Sequence, residues 1–281
     1  MNFRYILTAV IVVVALSLLI YTDILQTNDS NHSLNWNYHE ITLFNHDLHS
    51  YSFTYSGDER DDNGNFSMMI RSINRNFPDV LFNINGGDLR SDSSELNSFK
   101  NDYLDGGVVG FNRPVMFVIG NHELVNSPSG SVYRSIFGSP SYYNFSENNS
   151  YFMVIDNADS QDLNSTQLSW LNEQLNKSQK YKYRFVFMHV PLYKVNNDTE
   201  TSMNPDGVGG ADYLRNLFDS NNVTMIFASH VHNYYNGTWG KTPFIISGGA
   251  GAPPEENHPP FHHYIFVNVT DNSFNYFVVP Y

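Results

Sequence analysis

The chain has no cysteine among its 281 residues. That absence excludes a disulfide framework and a thiolate metal cluster, so stability must come from the apolar core and any bound ion. Charge is scarce as well. Only 15% of residues are Asp, Glu, Lys or Arg, and 15 basic residues against 28 acidic ones leave a net charge of -13. No basic stripe relieves that imbalance, which argues against a nucleic-acid scaffold as partner. A small anionic substrate stays admissible, because bound cations invert a local field. Internal repeats are also lacking. What is present is the make-up of a folded globule, with 41% hydrophobic and 15% aromatic residues, enough to bury a sizeable core.

One long apolar run exists, from Tyr5 to Tyr21 behind a single Arg4. It reads as a targeting segment over residues 1–21, a signal anchor in preference to a cleaved signal peptide, since a small-x-small cleavage site is missing. Residues 22–38 are polar and Asn-rich, a linker between the membrane and a domain over 39–281. The expectation is a domain outside the cytoplasm, at the cell surface, with secretion as the alternative. Eleven N-x-S/T triplets, at Asn28, Asn31, Asn65, Asn144, Asn148, Asn164, Asn176, Asn197, Asn222, Asn236 and Asn268, are consistent with a glycoprotein.

From His39 onward short β-like runs alternate with amphipathic helical stretches, the pattern of an α/β layer fold. The apolar runs YSFTYSG, VLFNING, VMFVIG, YFMVID, YRFVFMH and VTMIFASH read as strands. Between the first two, Phe66, Met69, Ile70, Ile73 and Phe77 fall on one helical face. A second helix, STQLSWLNEQLNKS, opens on Ser/Thr capping residues and stacks Leu168, Leu171 and Leu175. Strand, helix and parallel strand make a right-handed crossover, and functional groups in such sheets collect at the carboxyl ends of the strands.

The polar motifs fall at those ends. Gly87-Asp88 closes VLFNING, Gly120-Asn121-His122-Glu123 closes VMFVIG, His189 closes YRFVFM, and Ser229-His230-Val231-His232 closes MIFA. A carboxylate, an amide oxygen and imidazoles on one rim form a mixed N/O site that suits Zn, Mn or Fe. His230 and His232 can serve two ions if the chain is already turning into a loop there, free of the fixed side-chain directions of a strand. A first acidic ligand comes from Asp58 in GDER or from Asp47 in DLH. Asp58 precedes Asp88 by 30 residues, the span of one crossover, so Asp58 is preferred and ITLFNHDLHS becomes a flanking strand. His49 is then a surface or packing histidine.

With these motifs in order, the chain resembles the calcineurin-like metallophosphoesterase superfamily, on its extracellular, purple-acid-phosphatase-like side. The resemblance rests on Gly57-Asp58, Gly87-Asp88, GNHE, the His189 motif and SHVHNY, with FGSPSYYNF, QLSWLNEQL and SGGAGAP in agreement. It implies a four-layer α/β/β/α sandwich of two mixed sheets flanked by helices. It also implies two divalent or trivalent ions, Mn, Zn or Fe, bridged by Asp88. Asn121, His189 and His230 would complete one ion, and Asp58 with His232 the other. The ions would activate a hydroxide for in-line attack on a phosphomonoester or phosphodiester, with His122 donating a proton to the leaving oxygen or stabilising charge there.

Two departures from the family pattern stand out. Arg60 occupies the place of the usual D-x-H histidine, and a guanidinium cannot bind a cation. Ser91 replaces the tyrosine ligand of purple acid phosphatases. One ion would then keep Asp58, Asp88 and His232, with water or a carboxylate from Asp61 or Asp62. Arg60 and Arg90 are candidates for holding substrate phosphate, or for salt bridges to ligand carboxylates. The departures keep open a surface binding protein with weakened catalysis, or a structural envelope component. Remaining features read as structural: His39, His46, His258, His262 and His263 as ordinary packing or surface residues, and NGTWGKT as a hairpin loop, not a phosphate loop.

Overall fold

The first parallel crossover forms where the 30-residue spacing predicts it. β1 (Ser50–Ser56) feeds α1 (Asn65–Asn76), which returns to β2 (Phe82–Asn85) alongside β1. The apolar face of α1 is buried through Phe66, Met69, Ile70 and Ile73, while Phe77 is its C-cap. The computed structural model describes residues 49–60, 64–138, 140–195, 202–253 and 261–281, all in one compact unit. The targeting segment, the linker, ITLFNHDLHS up to Leu48, Asp61, Asp62, His39, His46 and His258 lie outside the described residues. Among the described residues no helix is long and apolar enough to cross a membrane.

β3 (Val115–Phe117) follows β2 in parallel, after the short helix α2 (Leu96–Phe99). Helix α3 (Ser131–Phe137) leads to the antiparallel pair β4 (Tyr143–Glu147) and β5 (Ser150–Val154). α4 (Ser165–Lys177) then connects to β6 (Tyr183–Phe187), and α5 (Ala211–Ser220) to β7 (Met225–Ala228). A hairpin of β8 (Tyr234–Trp239) and β9 (Thr242–Ser247) turns at Gly240-Lys241, so NGTWGKT is hairpin as expected. The chain closes with the antiparallel pair β10 (His263–Thr270) and β11 (Phe274–Pro280).

Two mixed sheets result, one in the order β11-β10-β1-β2-β3 and one in the order β4-β5-β6-β7-β9-β8. Strand alternation explains how they stack. Phe53, Phe82, Phe152, Phe185 and Phe227 point into a core shared by both sheets. On the opposite face of the second sheet, Met153, Val186 and Ile226 pack with Leu171 and Leu175 of α4 and Leu214 and Phe218 of α5. On the outer face of the first sheet, Val115 and Phe117 pack with Phe66, Ile70, Phe99 and Tyr133 from α1, α2 and α3. Period-2 alternation thus gives each central strand two apolar faces, which accounts for the near-continuous apolar runs in the sequence. Three cores separate four layers, the α/β/β/α sandwich.

One local expectation needs correction. The cap of α4 is Asn164, whose side chain accepts from the backbone N–H groups of Thr166 and Gln167 at 3.1 and 3.0 Å, so Ser165 and Thr166 lie inside the first turn. An amide at the cap position satisfies donors that the helix leaves unpaired.

Candidate metal centre

The parallel strands β1, β2, β3, β6 and β7 end on one rim, and the loops that follow carry the candidate ligands. Asp58 and Asp88 follow β1 and β2, Asn121 follows β3, and His189, His230 and His232 follow β6 and β7. β7 ends at Ala228, so both histidines of SHVH lie in a turn, which lets them face different partners. Asp58, Asp88 and His230 have φ of 63°, 59° and 70°. Side chains other than glycine seldom adopt this left-handed region, and such strain gathers at functional sites. Glycines make the crowding possible. A Cβ on Gly248 would sit 2.8 Å from Asp58 Oδ2, so SGGAGAP does bring backbone to the rim.

One cluster joins Asp88, Asn121, His189 and His230. Asn121 Oδ1 lies 2.9 Å from both His189 Nε2 and His230 Nδ1, the two ring nitrogens are 3.3 Å apart, and Asp88 Oδ1 is 3.3 Å from His189 Nε2. His189 Nδ1 donates to the Gly86 carbonyl at 2.8 Å. Nε2 of neutral His189 therefore turns a lone pair toward two oxygen acceptors, and such a meeting needs a proton or a cation between the atoms. In the described residues, Asp88, His189 and His230 form the group whose ligand atoms lie close enough to hold one ion.

The second group joins Asp58 and His232. His232 Nδ1 donates to the Pro253 carbonyl at 2.7 Å, which aims Nε2 toward Asp58 Oδ1, 3.6 Å away. Asp58 Oδ2 accepts from the His230 N–H at 2.7 Å, while Oδ1 is buried with no hydrogen-bond partner. A buried, unpaired carboxylate oxygen is costly, and a cation is the partner its chemistry favours. The donor set of both groups fits divalent or trivalent ions.

Electrostatics follow from burial. Burial pushes the Asp58 carboxyl up to about 8, against the pull of His189. For Asp88 burial, the largest single influence, also acts upward, but His189 and His122 together outweigh it and the carboxyl is held well below its usual range. Burial pulls His189 down, but Asp88 and then Asp58 reverse this and raise it to about 10. His230 falls to about 3 through burial and the neighbouring His189, and His232 to about 4 through burial and Arg60.

His122 and the two arginines are placed less simply. His122 Nδ1 donates to the Ser91 carbonyl at 2.7 Å, and Arg60 Nη1 lies 2.5 Å from His122 Nε2. A guanidinium only donates, so Nε2 is an acceptor in this arrangement. His122 Nε2 is 3.8 Å from Asp88 Oδ2, which keeps the pair beside the cluster. Arg90, by contrast, is buried: Nη2 donates to Asp102 at 3.1 Å, and the guanidinium lies 5.3 Å from the Tyr103 ring. These contacts suit a structural arginine better than a phosphate clamp. His263 is buried between Ser247 and Phe261, His262 pairs with Asn65, and exposed His49 pairs with Asp271.

Two bracing residues were not singled out from the sequence. Glu123, fully buried in the GNHE turn, accepts from the backbone N–H groups of Asp88, Leu89 and Gly120 at 2.9, 2.8 and 2.7 Å. Asn157 accepts from the N–H groups of His189 and Val190 at 3.1 and 3.2 Å. The signal for Glu123 was its place next to His122; Asn157 follows the end of β5 just as the candidate ligands follow their strands.

Residues 39–234, more than half of the chain, match the calcineurin-like phosphoesterase family. The chain belongs to that family. Serine/threonine-protein phosphatase CPPED1 of Rattus norvegicus is 24% identical over 155 residues, 52% of this chain and 50% of that protein. The Homo sapiens counterpart is 23% identical over 151 residues, 50% of this chain and 48% of that protein. The chain thus spans about half the length of the curated relatives it matches. Among solved structures, purple acid phosphatase PPD1 from yellow lupin shares the fold with a TM-score of 0.64 at 18% identity, over 81% of this chain and 51% of that one. GAP50, the anchor in the inner membrane complex of Plasmodium, does so with a TM-score of 0.59 at 15% identity, over 82% and 84%.

Proposed function

We propose that this chain hydrolyses a phosphomonoester or phosphodiester at a two-metal centre held by Asp58, Asp88, Asn121, His189, His230 and His232. The observation that carries the reading is the convergence of Asn121 Oδ1, His189 Nε2, His230 Nδ1 and Asp88 Oδ1 within hydrogen-bond range. When bound, the ions lower the pKa of a water and neutralise phosphoryl charge. The chain's own residues do the rest. Asn121 and the histidines fix the donors, Glu123 and Asn157 hold the loops rigid, and Arg60 brings a permanent positive charge beside the cluster for phosphoryl oxygens. His122 acts at the leaving oxygen, and to donate a proton from Nε2 it must be released by Arg60. The membrane-anchored, extracellular placement expected from residues 1–21 belongs to the same proposal.

The test is elemental analysis of the full chain beside turnover of an aryl phosphate and an aryl phosphodiester with Mn, Zn or Fe. Two ions and metal-dependent turnover are the expected result. His122→Ala should keep the metal and lose about 100-fold or more in kcat. The second reading, a surface binding protein of the same fold with weakened catalysis, draws support from Arg60 seated on His122 Nε2, and GAP50 shows that an anchor can share the fold. Metal bound without turnover under any of the three ions would favour it.

Ion binding should also be pH-linked. In the metal-free protein Asp58 (about 8, ordinarily 3.8) and His189 (about 10, ordinarily 6.5) hold protons more tightly than in the unfolded chain. Their contributions to stability are therefore lost as pH rises, through the span 3.8 to about 8 for Asp58 and 6.5 to about 10 for His189. An ion must displace both protons, so metal affinity should rise over the same range. Calorimetry of Mn binding in buffers of differing ionisation enthalpy should register proton release at pH 7; uptake with none would contradict the ligand assignment.

A further inference from the structure

Two of the loops that shape the metal centre also wall a cleft of about 420 Å³ beside it. One wall is the turn after β3, from Asn121 through Leu124 and Val125 to Pro128. The other is the turn after β5, from Ala158 to Ser160. Asn121 belongs to both cleft and cluster, since its Oδ1 faces His189 and His230. The second wall is tied to the cluster as well. Asn157, which braces His189, accepts the Ser160 N–H at 3.0 Å, and Ser160 closes that turn with φ of 61°.

The lining has a definite chemistry. Leu124, Val125, Pro128 and Ala158 are apolar, and Val125 stays 42% exposed at the mouth. Asp159 is the charged side chain of the lining, and it is exposed. Its Oδ1 accepts from the Gln161 N–H at 3.1 Å, which leaves a carboxylate with further acceptor capacity. Among the described lining residues there is no lysine or arginine. A second phosphate or a carboxylate on the ligand would therefore meet Asp159 without compensation. The volume falls in the range of small-molecule sites.

We propose that this cleft is the specificity subsite of the enzyme. It receives the organic part of a substrate whose phosphoryl group rests at the metal cluster, and it selects a compact apolar or aromatic group that carries a cation or hydrogen-bond donor. The proposal deepens the hydrolase reading and rests on it.

The test compares kcat/KM of the full chain with Mn for phenyl phosphate, 4-(aminomethyl)phenyl phosphate and 4-carboxyphenyl phosphate. The ammonium compound should exceed phenyl phosphate by about threefold and the carboxylate should fall below it by about threefold, the scale of an exposed ion pair. Asp159→Asn should erase that ranking and Asp159→Lys should reverse it. A ranking that survives both substitutions, or a wild-type preference for the carboxylate, overturns the assignment. If the full chain turns over none of the three, calorimetry with the matching benzylphosphonates separates the two readings. The same Asp159-dependent ranking in binding would uphold the cleft and remove the hydrolase reading, whereas binding without discrimination, or none, would overturn the cleft.

Discussion

Asp88→Asn should strip the chain of metal and lower turnover by more than about 100-fold, since losing even an outer partner of a metal ligand costs about 10–100-fold. The substitution is nearly isosteric, so its effect is one of charge. The Asp88 carboxylate lies 3.3 Å from His189 Nε2 and accepts the His122 N–H at 2.9 Å. An asparagine oxygen can keep the second contact, which leaves the loop in place. It cannot supply the negative charge that two cations would share. Metal content by elemental analysis and kcat/KM on an aryl phosphate check this together. Wild-type metal content in the variant would show that the ion, if any, is held without Asp88.

Glu123→Ala should be the most damaging change to the fold among the site's neighbours, by at least about 3 kcal/mol, because three buried N–H donors lose their acceptor at about 1–3 kcal/mol each. At about 2–4 °C per kcal/mol for a domain of this class, melting should drop by roughly 10 °C. Burial, and then the Asp88 charge, push the Glu123 carboxyl up to about 7, so the group tolerates an expensive position for the sake of those three bonds. Glu123→Gln should cost less, since its carbonyl oxygen can still serve Asp88 and Gly120. Thermal melts of the two variants decide it, and equal melting of Glu123→Ala and wild type would mean that the loop finds other acceptors.

Much of the arrangement was legible in the sequence because ligands of this kind sit where apolar runs stop. A run buried on both faces is near-continuous in apolar residues, and the polar motif that follows it marks the rim, as at Asp58, Asp88, Asn121, His189 and His230. Spacing favoured Asp58 over Asp47, since a crossover counted from Asp47 would have to hold YSFTYSG as an extra strand. Edge and outer strands were harder to see. β4, β8 and β11 carry polar or exposed residues on one side, as in the alternation of β11, and lack that continuous signal. Nothing in a linear pattern announces a left-handed aspartate, so the conformations of Asp58, Asp88 and His230 were out of reach. Nor did the D-x-R departure say where Arg60 would go; its seat on His122 Nε2 depends on two loops brought together by separate strands.

The candidate ligands are drawn in equal numbers from the two halves of the sandwich: Asp58, Asp88 and Asn121 from one sheet, His189, His230 and His232 from the other. Elsewhere the facing sheets adhere through side-chain packing, which resists separation gradually and everywhere at once. At this rim, bonds to an ion would clasp them at a point. Removing such an ion would then cost mechanical coupling between the sheets as well as a ligand site. The sheets would loosen first at this rim, where the loops from both halves meet and packing alone would be left to hold them.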